Sequence, residues 1–171
     1  MNELFILGEL MEGMQNGYQL RNALQTILGH NRKISFGTLY PLLNKLEKNG
    51  LIIITIDESD RKRKDITITE AGRVRFIELM EQPVLDGAYK MDIYLIKLDA
   101  MQHLDEESQK NLLNEFKIVE EKVVVETLRD INHLAAKQSK DHWYAAKILQ
   151  LRLAHANATI KWIIEYQEEF K

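Results

Sequence analysis

Apolar residues recur every three or four positions through the first fifty residues, which is the spacing of amphipathic helices. The stripes occupy residues 3–12, 17–28 and 35–49. Asn16 and Ser35 are residue types that cap helix N-termini, and they stand where the second and third stripes begin. Gly13, Gly29 and Gly50 stand where the stripes end, and Gly50 suits a left-handed position after a helix. The pattern predicts three consecutive helices, the first of them short and largely buried.

The third predicted helix has two chemically different faces. Its leucines share one side and are expected to face a core: Leu39, Leu42, Leu43 and Leu46. The other side carries hydroxyl, amide and charged groups: Thr38, Tyr40, Asn44, Lys45, Glu47 and Lys48. Such a face suits contacts with phosphates and base edges, and an ordinary solvent-facing surface would look similar. Pro41 removes one backbone hydrogen bond, so the first turn is predicted to be irregular.

After Gly50 the period changes to that of strands. The runs LIIITI at 51–56 and ITIT at 66–69 are rich in β-branched residues, and the nine residues between them include four consecutive bases, 61–64. Thr69 then caps a further predicted helix, EAGRVRFIELM. Three helices, a hairpin with a basic tip and a fourth helix form a winged helix-turn-helix, in which the third helix can enter the major groove.

The second half of the chain shows helical patterns only. Gln82-Pro83 is a candidate domain junction, and apolar stripes follow in residues 84–101, 105–138 and 140–170. The last stripe has near-heptad spacing, which indicates a helical hairpin or a coiled-coil seam. The predicted fold is mostly α, with an α+β winged helix-turn-helix domain in 1–82 and an all-helical domain in 83–171. We expect the helical domain to dimerise, because two winged helices must be held roughly 34–36 Å apart to bind a two-fold operator; a monomeric helical bundle is the alternative.

Composition removes several classes of protein. The 171 residues carry a formal net charge of −3 and no cysteine, which excludes disulfide scaffolds and thiolate metal sites. No apolar run reaches the roughly 20 residues that span a bilayer, and the N-terminus lacks the features of a signal peptide, so a cytoplasmic protein is expected. The five histidines are scattered and none of the HExxH, P-loop, GxGxxG and GxSxG motifs is present, so no enzyme, metal or cofactor is predicted.

Charge is unevenly distributed along the chain. Residues 61–75 hold six bases and two acids, a local surplus of +4, although residues 1–82 as a whole balance at eleven bases and eleven acids. A basic patch on an acidic protein can bind a polyanion at one surface, while a solvated loop of charges is the simpler interpretation.

Four stretches resemble the PadR family of bacterial transcriptional regulators: ILGEL at 6–10, NGYQL at 16–20, SFGTLYPLLNKLEKNGLI at 35–52 and RKRKDITITEAGR at 61–73. The tyrosine-proline pair inside the third helix is the most specific feature. The resemblance covers roughly residues 4–80 and implies a homodimeric, ligand-responsive regulator, most often a repressor. The family often has a glycine at the wing tip and an aromatic residue where its second strand begins, and this chain has Ser59-Asp60 and Asp65-Ile66 in those places. Asp57, Glu58, Asp60 and Asp65 surround the bases with negative charge.

The resemblance also implies roles for individual residues. Ser35, Thr38 and Tyr40 would contact DNA from the recognition helix, together with Asn44, Lys45 and Lys48 on the same face, Lys45 reaching phosphate. Arg61, Lys62, Arg63 and Lys64 would form the wing. The length and helix layout of the second half are similar to those of longer PadR members, whose C-terminal helices dimerise and help form an effector pocket. The candidate pocket aromatics are Tyr94, Phe116, Trp143, Tyr144 and Trp162, and for each of them a core or interface role is the simpler interpretation.

The sequence therefore predicts a DNA-binding regulator, a repressor that binds a palindromic operator as a homodimer and is released by a small aromatic or amphipathic effector. The alternative is a helical adaptor whose winged helix contacts protein rather than DNA. The balanced charge of residues 1–82 and the acids around the wing support that alternative.

Overall fold

A computed structural model describes residues 1–30, 32, 34–56, 64–136 and 143–170. The elements in chain order are α1 (Asn2–Met11), β1 (Gln15–Asn16), α2 (Gly17–Leu28), α3 (Phe36–Lys48), β2 (Ile52–Ile56), β3 (Lys64–Ile68), α4 (Glu70–Glu81), α5 (Lys90–Ala100), a 3₁₀ turn (Met101–His103), α6 (Glu106–Ala136) and α7 (Trp143–Glu168). They form two compact units, Met1–Leu104 and Asp105–Lys171.

The predicted caps define the helices of the first unit. Asn16 and Gln19 form a capping box at the start of α2, in which Asn16 Oδ1 accepts from the Gln19 amide at 3.0 Å and Gln19 Oε1 accepts from the Asn16 amide at 2.9 Å. Gly50 has φ +72°, the left-handed conformation that its place after α3 requires. α3 is a continuous helix from Phe36, so the prediction of an irregular first turn at Pro41 is wrong. Pro41 is exposed.

The sheet contains one strand that the sequence did not reveal. Its order is β1-β3-β2, and both pairings are antiparallel. β1 pairs Gln15 with Ile66 and Asn16 with Asp65, and its two polar residues carry no hydrophobic period by which to recognise a strand. β3 begins at Lys64, opposite Ile56, two residues before the predicted start.

The core of the first unit lies around α1, whose residues Leu4–Gly8 and Leu10 are all buried, as the sequence predicted. It is extended by apolar side chains of every other helix of the unit and of the sheet, including Leu20, Leu39, Leu43, Leu46, Ile52, Ile66, Phe76, Tyr94 and Ile96. Gly8 permits a close approach of α1 to α5, because a Cβ there would lie 3.1 Å from Ala100 Cβ. The hydrophobic effect of burying these side chains holds the helices of the first unit together.

α5 packs against the winged helix and belongs to the first compact unit. Its side chains Tyr94, Ile96 and Ala100 are buried, and the buried amine of Lys97 donates to the carbonyl oxygens of Met80 at 2.8 Å and Gln82 at 2.5 Å. The residues between Gln82 and Lys90 are a loop, whereas the sequence predicted helix from residue 84. The first compact unit consequently ends at Leu104, beyond the predicted junction at 82/83.

The second unit is a pair of long helices. α6 and α7 pack against each other, and Gln167 near the end of α7 donates to Asn114 near the start of α6 at 3.3 Å, so the two helices are antiparallel. Leu112, Leu113 and Phe116 of α6 and Ala156 and Ile163 of α7 are buried. The predicted helical hairpin is therefore formed within one chain. None of the described helices is both long and apolar enough to cross a membrane.

Candidate nucleic-acid interface

The face of α3 is fixed by three buried leucines, Leu39, Leu43 and Leu46. Leu42, expected beside them, is half-buried. Because these side chains anchor one side of the helix, the opposite side is turned to solvent for the whole length of α3. The predicted contact residues Ser35, Thr38, Asn44, Lys45 and Lys48 are all exposed on or beside this side, and Tyr40 is half-buried at its edge.

Ser35 caps the N-terminus of α3. Its Oγ accepts a hydrogen bond from the Thr38 amide at 3.1 Å and lies 2.9 Å from Thr38 Oγ1. The hydroxyl thereby satisfies one of the free amides of the first turn. Thr38 and Tyr40 are two residues apart in the helix, so their side chains leave α3 on opposite flanks of the exposed face.

The flank that carries Tyr40 holds two stacked rings between two cations. The rings of Phe36 and Tyr40 lie 5.8 Å apart at an interplanar angle of 30°. The Arg21 guanidinium of α2 lies 5.1 Å from the Phe36 centroid, and Lys64 Nζ lies 5.5 Å from the Tyr40 centroid. We call Arg21, Phe36, Tyr40 and Lys64 the aromatic-cation row. Attraction between cations and ring faces fixes both charges beside α3.

The Tyr40 side chain packs closely against Gly17. A Cβ at Gly17 would lie 3.1 Å from the Tyr40 hydroxyl oxygen, so glycine is what allows the phenol to reach the start of α2. Arg21 and Phe36 are members of the row that the sequence analysis did not single out. The i, i+4 spacing of Phe36 and Tyr40 could have suggested the stacking, whereas the position of Arg21 depends on how α2 packs against α3.

The start of β3 marks where the wing returns to the sheet. Lys64 is exposed and pairs with Ile56 of β2 in the ladder. Glu47 Oε1 accepts from the Ile54 amide at 3.1 Å and so ties the end of α3 to β2. Arg61, Lys62 and Arg63, the other predicted wing bases, lie outside the described residues.

The basic surplus of residues 61–75 is not one surface patch. Arg75 donates to Glu3 at 2.8 Å and to Glu78 at 2.9 Å, and these hydrogen bonds raise the pKa of Arg75. Arg73 lies against Met11, with Nη1 3.5 Å from the thioether sulfur. These two arginines contact side chains of α1, Glu3 and Met11, so they do not form one basic surface with Lys64.

The predicted effector aromatics differ in exposure and in location. Tyr94 lies in the first unit and is buried, and Phe116 of the second unit is also buried. Trp143, Tyr144 and Trp162 are exposed on α7, where Trp143 meets Tyr144 edge-on at 4.8 Å. Burial makes Tyr94 and Phe116 core residues of their units in this structure. Among the described residues, no group of three or more acidic, histidine or cysteine side chains could hold a metal ion.

Comparisons with known proteins place the winged helix in a family. Residues 6–78 match the family described as Transcriptional regulator PadR-like family. The chain is 44% identical over 46 residues to the HTH-type transcriptional regulator SarZ of Staphylococcus epidermidis, a stretch that covers 27% of this chain and 31% of that protein. The match thus spans about a third of the length of this curated relative.

Solved structures of similar architecture include two from Bacillus. The PadR of Bacillus subtilis in complex with operator DNA is 19% identical, with coverage of 96% of this chain and 94% of that chain and a TM-score of 0.45. The PadR-like regulator BC1756 of Bacillus cereus is 22% identical, with coverage of 99% and 98% and a TM-score of 0.44.

Proposed function

Because this chain belongs, through its residues 6–78, to the Transcriptional regulator PadR-like family, we propose that it is a sequence-specific DNA-binding regulator that inserts α3 into the major groove. The geometry of α3 is the observation that carries the proposal. One side of the helix is anchored by buried leucines, and the other presents hydroxyl, amide and ammonium groups along its whole length. A helix of that kind can contact base edges and phosphates at the same time.

The proposed roles divide by chemistry. Thr38, Tyr40 and Asn44 offer hydrogen-bond donors and acceptors for base edges, and an asparagine amide matches the paired donor and acceptor of adenine. Lys45 and Lys48 on α3 carry exposed ammonium groups suited to phosphates.

The aromatic-cation row adds two further contacts to the proposal. Arg21 and Lys64, held over the rings of Phe36 and Tyr40, are suited to phosphates on the flank of the groove. The partly exposed ring of Phe36 can pack against the methyl group of a thymine. Arg61, Lys62 and Arg63 supply further phosphate contacts from the wing in this proposal.

We infer that the regulator acts in the cytoplasm as a homodimer on a palindromic operator, and that it represses transcription until a small aromatic or amphipathic compound binds. Exposed apolar side chains along the second unit support self-association, because single chains rarely leave so many uncovered: Ile118 and Val125 of α6, and Trp143, Tyr144, Ile148, Leu151, Trp162 and Ile164 of α7. If the effector lowers the affinity of the dimer for operator DNA by some factor, operator DNA must lower the affinity of the dimer for the effector by the same factor.

Selection from a random duplex library tests the proposal. The full chain should enrich a two-fold symmetric motif. Thr38→Ala should change the preferred sequence, whereas Lys48→Ala should weaken binding to all duplexes by a similar factor. Failure to enrich any motif, together with no retention on heparin at low salt, would contradict the DNA-binding proposal and favour the protein adaptor.

A further inference from the structure

A cavity of about 210 Å³ opens on the surface of the first unit, where α2, α3 and α5 meet. Leu24 and Leu28 of α2 and the buried Ile34 before α3 supply apolar walls. Tyr89 and Asp92, at the start of α5, supply an aromatic ring and a carboxylate. The cavity therefore combines an apolar lining with a small polar group at one side, which is the usual composition of a ligand site.

The polar side of this cavity already holds a cation from the chain itself. The Arg32 guanidinium lies 3.1 Å from Asp92 Oδ2, and its carbon lies 5.8 Å from the centroid of the Tyr89 ring. A carboxylate and a ring face on one positive group form a cation site by two independent attractions. Arg32 thus shows which chemistry the cavity accepts.

The side chains of Asp92 and Arg32 differ in their exposure to solvent. The Asp92 side chain is 11% exposed, while the Arg32 side chain is 48% exposed. Asp92 Oδ1 accepts a long hydrogen bond of 3.4 Å from Arg32, but among the described residues the buried Oδ2 has no hydrogen-bond partner, because its close contact with Arg32 lacks hydrogen-bond geometry. A buried carboxylate oxygen without a hydrogen bond is costly, so a better-aligned donor would be favoured in this place.

We propose that this cavity binds a small amphipathic amine. The ligand ammonium replaces the Arg32 guanidinium between Asp92 and Tyr89 and donates to Asp92 Oδ2. Its apolar body packs on Leu24, Leu28 and Ile34, and Arg32 turns out to solvent. Drug-sized ligands occupy pockets of roughly 300–1,000 Å³, so this smaller cavity suits a compound with a single ring.

A ligand in the cavity would contact α3 directly. Thr38 of α3 lines the same cavity and stands on the face proposed to contact DNA. Binding of the amine itself requires only the first unit's own residues, so it stands or falls independently of the proposed function.

The probe is 2-phenylethylamine, titrated into the full chain and followed by saturation-transfer NMR and calorimetry, with 2-phenylethanol as the neutral analogue. The amine should bind and the alcohol should bind at least tenfold more weakly. Asp92→Asn, which keeps the volume of the side chain, should weaken amine binding at least tenfold. Arg32→Ala should strengthen it severalfold, because the competing guanidinium is gone.

Two more variants keep the test decisive if Asp92→Asn fails to fold. Tyr89→Leu, at an exposed ring, should weaken amine binding severalfold, and Asp86→Asn should leave it unchanged, because the exposed Asp86 pairs with Lys90 and does not line the cavity. Equal affinity for amine and alcohol, weaker binding by Arg32→Ala, or no binding by either the wild type or Arg32→Ala would overturn the proposal.

Discussion

Replacing Glu9 by glutamine should remove most of the pH dependence that this residue gives to folding stability. Glu9 of α1 shares a hydrogen bond with Asp99 of α5, and Glu12 lies close by. Burial, then the charges of Asp99 and Glu12 and this hydrogen bond, raise the pKa of Glu9 from its ordinary value of 4.5 to about 7. Burial first, and then the charge of Glu12, also raise the pKa of Asp99.

The sign of the effect follows from proton binding. Between pH 4.5 and about 7 the folded chain holds the Glu9 proton and the unfolded chain releases it, so the free energy of unfolding falls as pH rises through this window. A pKa difference of this size corresponds to roughly 3 kcal/mol for a fully buried group. Glu9 is only half-buried, and solvent screening reduces the effect to about 1–2 kcal/mol.

Urea unfolding followed by circular dichroism at pH 5, 6, 7 and 8 measures the difference. Glu9→Gln should match the wild type near pH 5 and exceed its stability by about 1–2 kcal/mol at pH 8. Asp99→Asn removes the neighbouring charge, so in this variant the free energy of unfolding should decline at lower pH than in the wild type. Parallel stability profiles for the wild type and Glu9→Gln would contradict a raised pKa of Glu9 in the folded chain.

Three other substitutions test the packing that supports α3, all by urea unfolding. Gly72→Ala would put a Cβ 2.1 Å from the carbonyl oxygen of Leu51, and we expect a loss of about 2–4 kcal/mol, although alanine is normally the better helix former. Gly37→Ala is the matched control, since its Cβ would meet nothing closer than an oxygen at 3.6 Å, and it should gain up to about 1 kcal/mol; equal effects at the two glycines would contradict the close approach at Gly72. Lys97→Met leaves the carbonyl oxygen of Met80 without its buried donor and should cost about 2–3 kcal/mol, so an unchanged stability would show that this contact is dispensable.

Local patterns in the sequence predict the elements of the winged helix well. Asn16, Ser35 and Thr69 are caps by residue type and spacing alone, and each accepts the expected backbone hydrogen bond in the structure. β1 escaped prediction because two polar residues carry no period, and α5 was assigned to the second half because Pro83 looked like a boundary. Only the tertiary contacts of Lys97 and its neighbours reveal that this helix belongs to the first unit.

The candidate interface shows the same limit. The leucine side of α3 indicates which residues face outward, so Thr38, Asn44, Lys45 and Lys48 could be predicted as exposed from the sequence. Arg21 could not, because its position over Phe36 results from the packing of two helices separated by a loop. The cavity around Asp92 was missed for a related reason, since its walls come from α1, α2, α3 and α5 and from the residues next to them.

Fluorescence anisotropy with the selected duplex and a scrambled version, at two salt concentrations, tests the DNA-binding claim most directly. In the proposed complex each protomer makes about seven phosphate contacts, from Arg21, Lys45, Lys48 and Lys64 and from the wing bases Arg61, Lys62 and Arg63, and so the dimer makes about fourteen. The logarithm of the affinity should therefore fall with the logarithm of salt concentration with a slope of roughly −12. We expect this slope together with clearly tighter binding to the selected duplex. Equal affinity for both duplexes, or an affinity independent of salt, would contradict it.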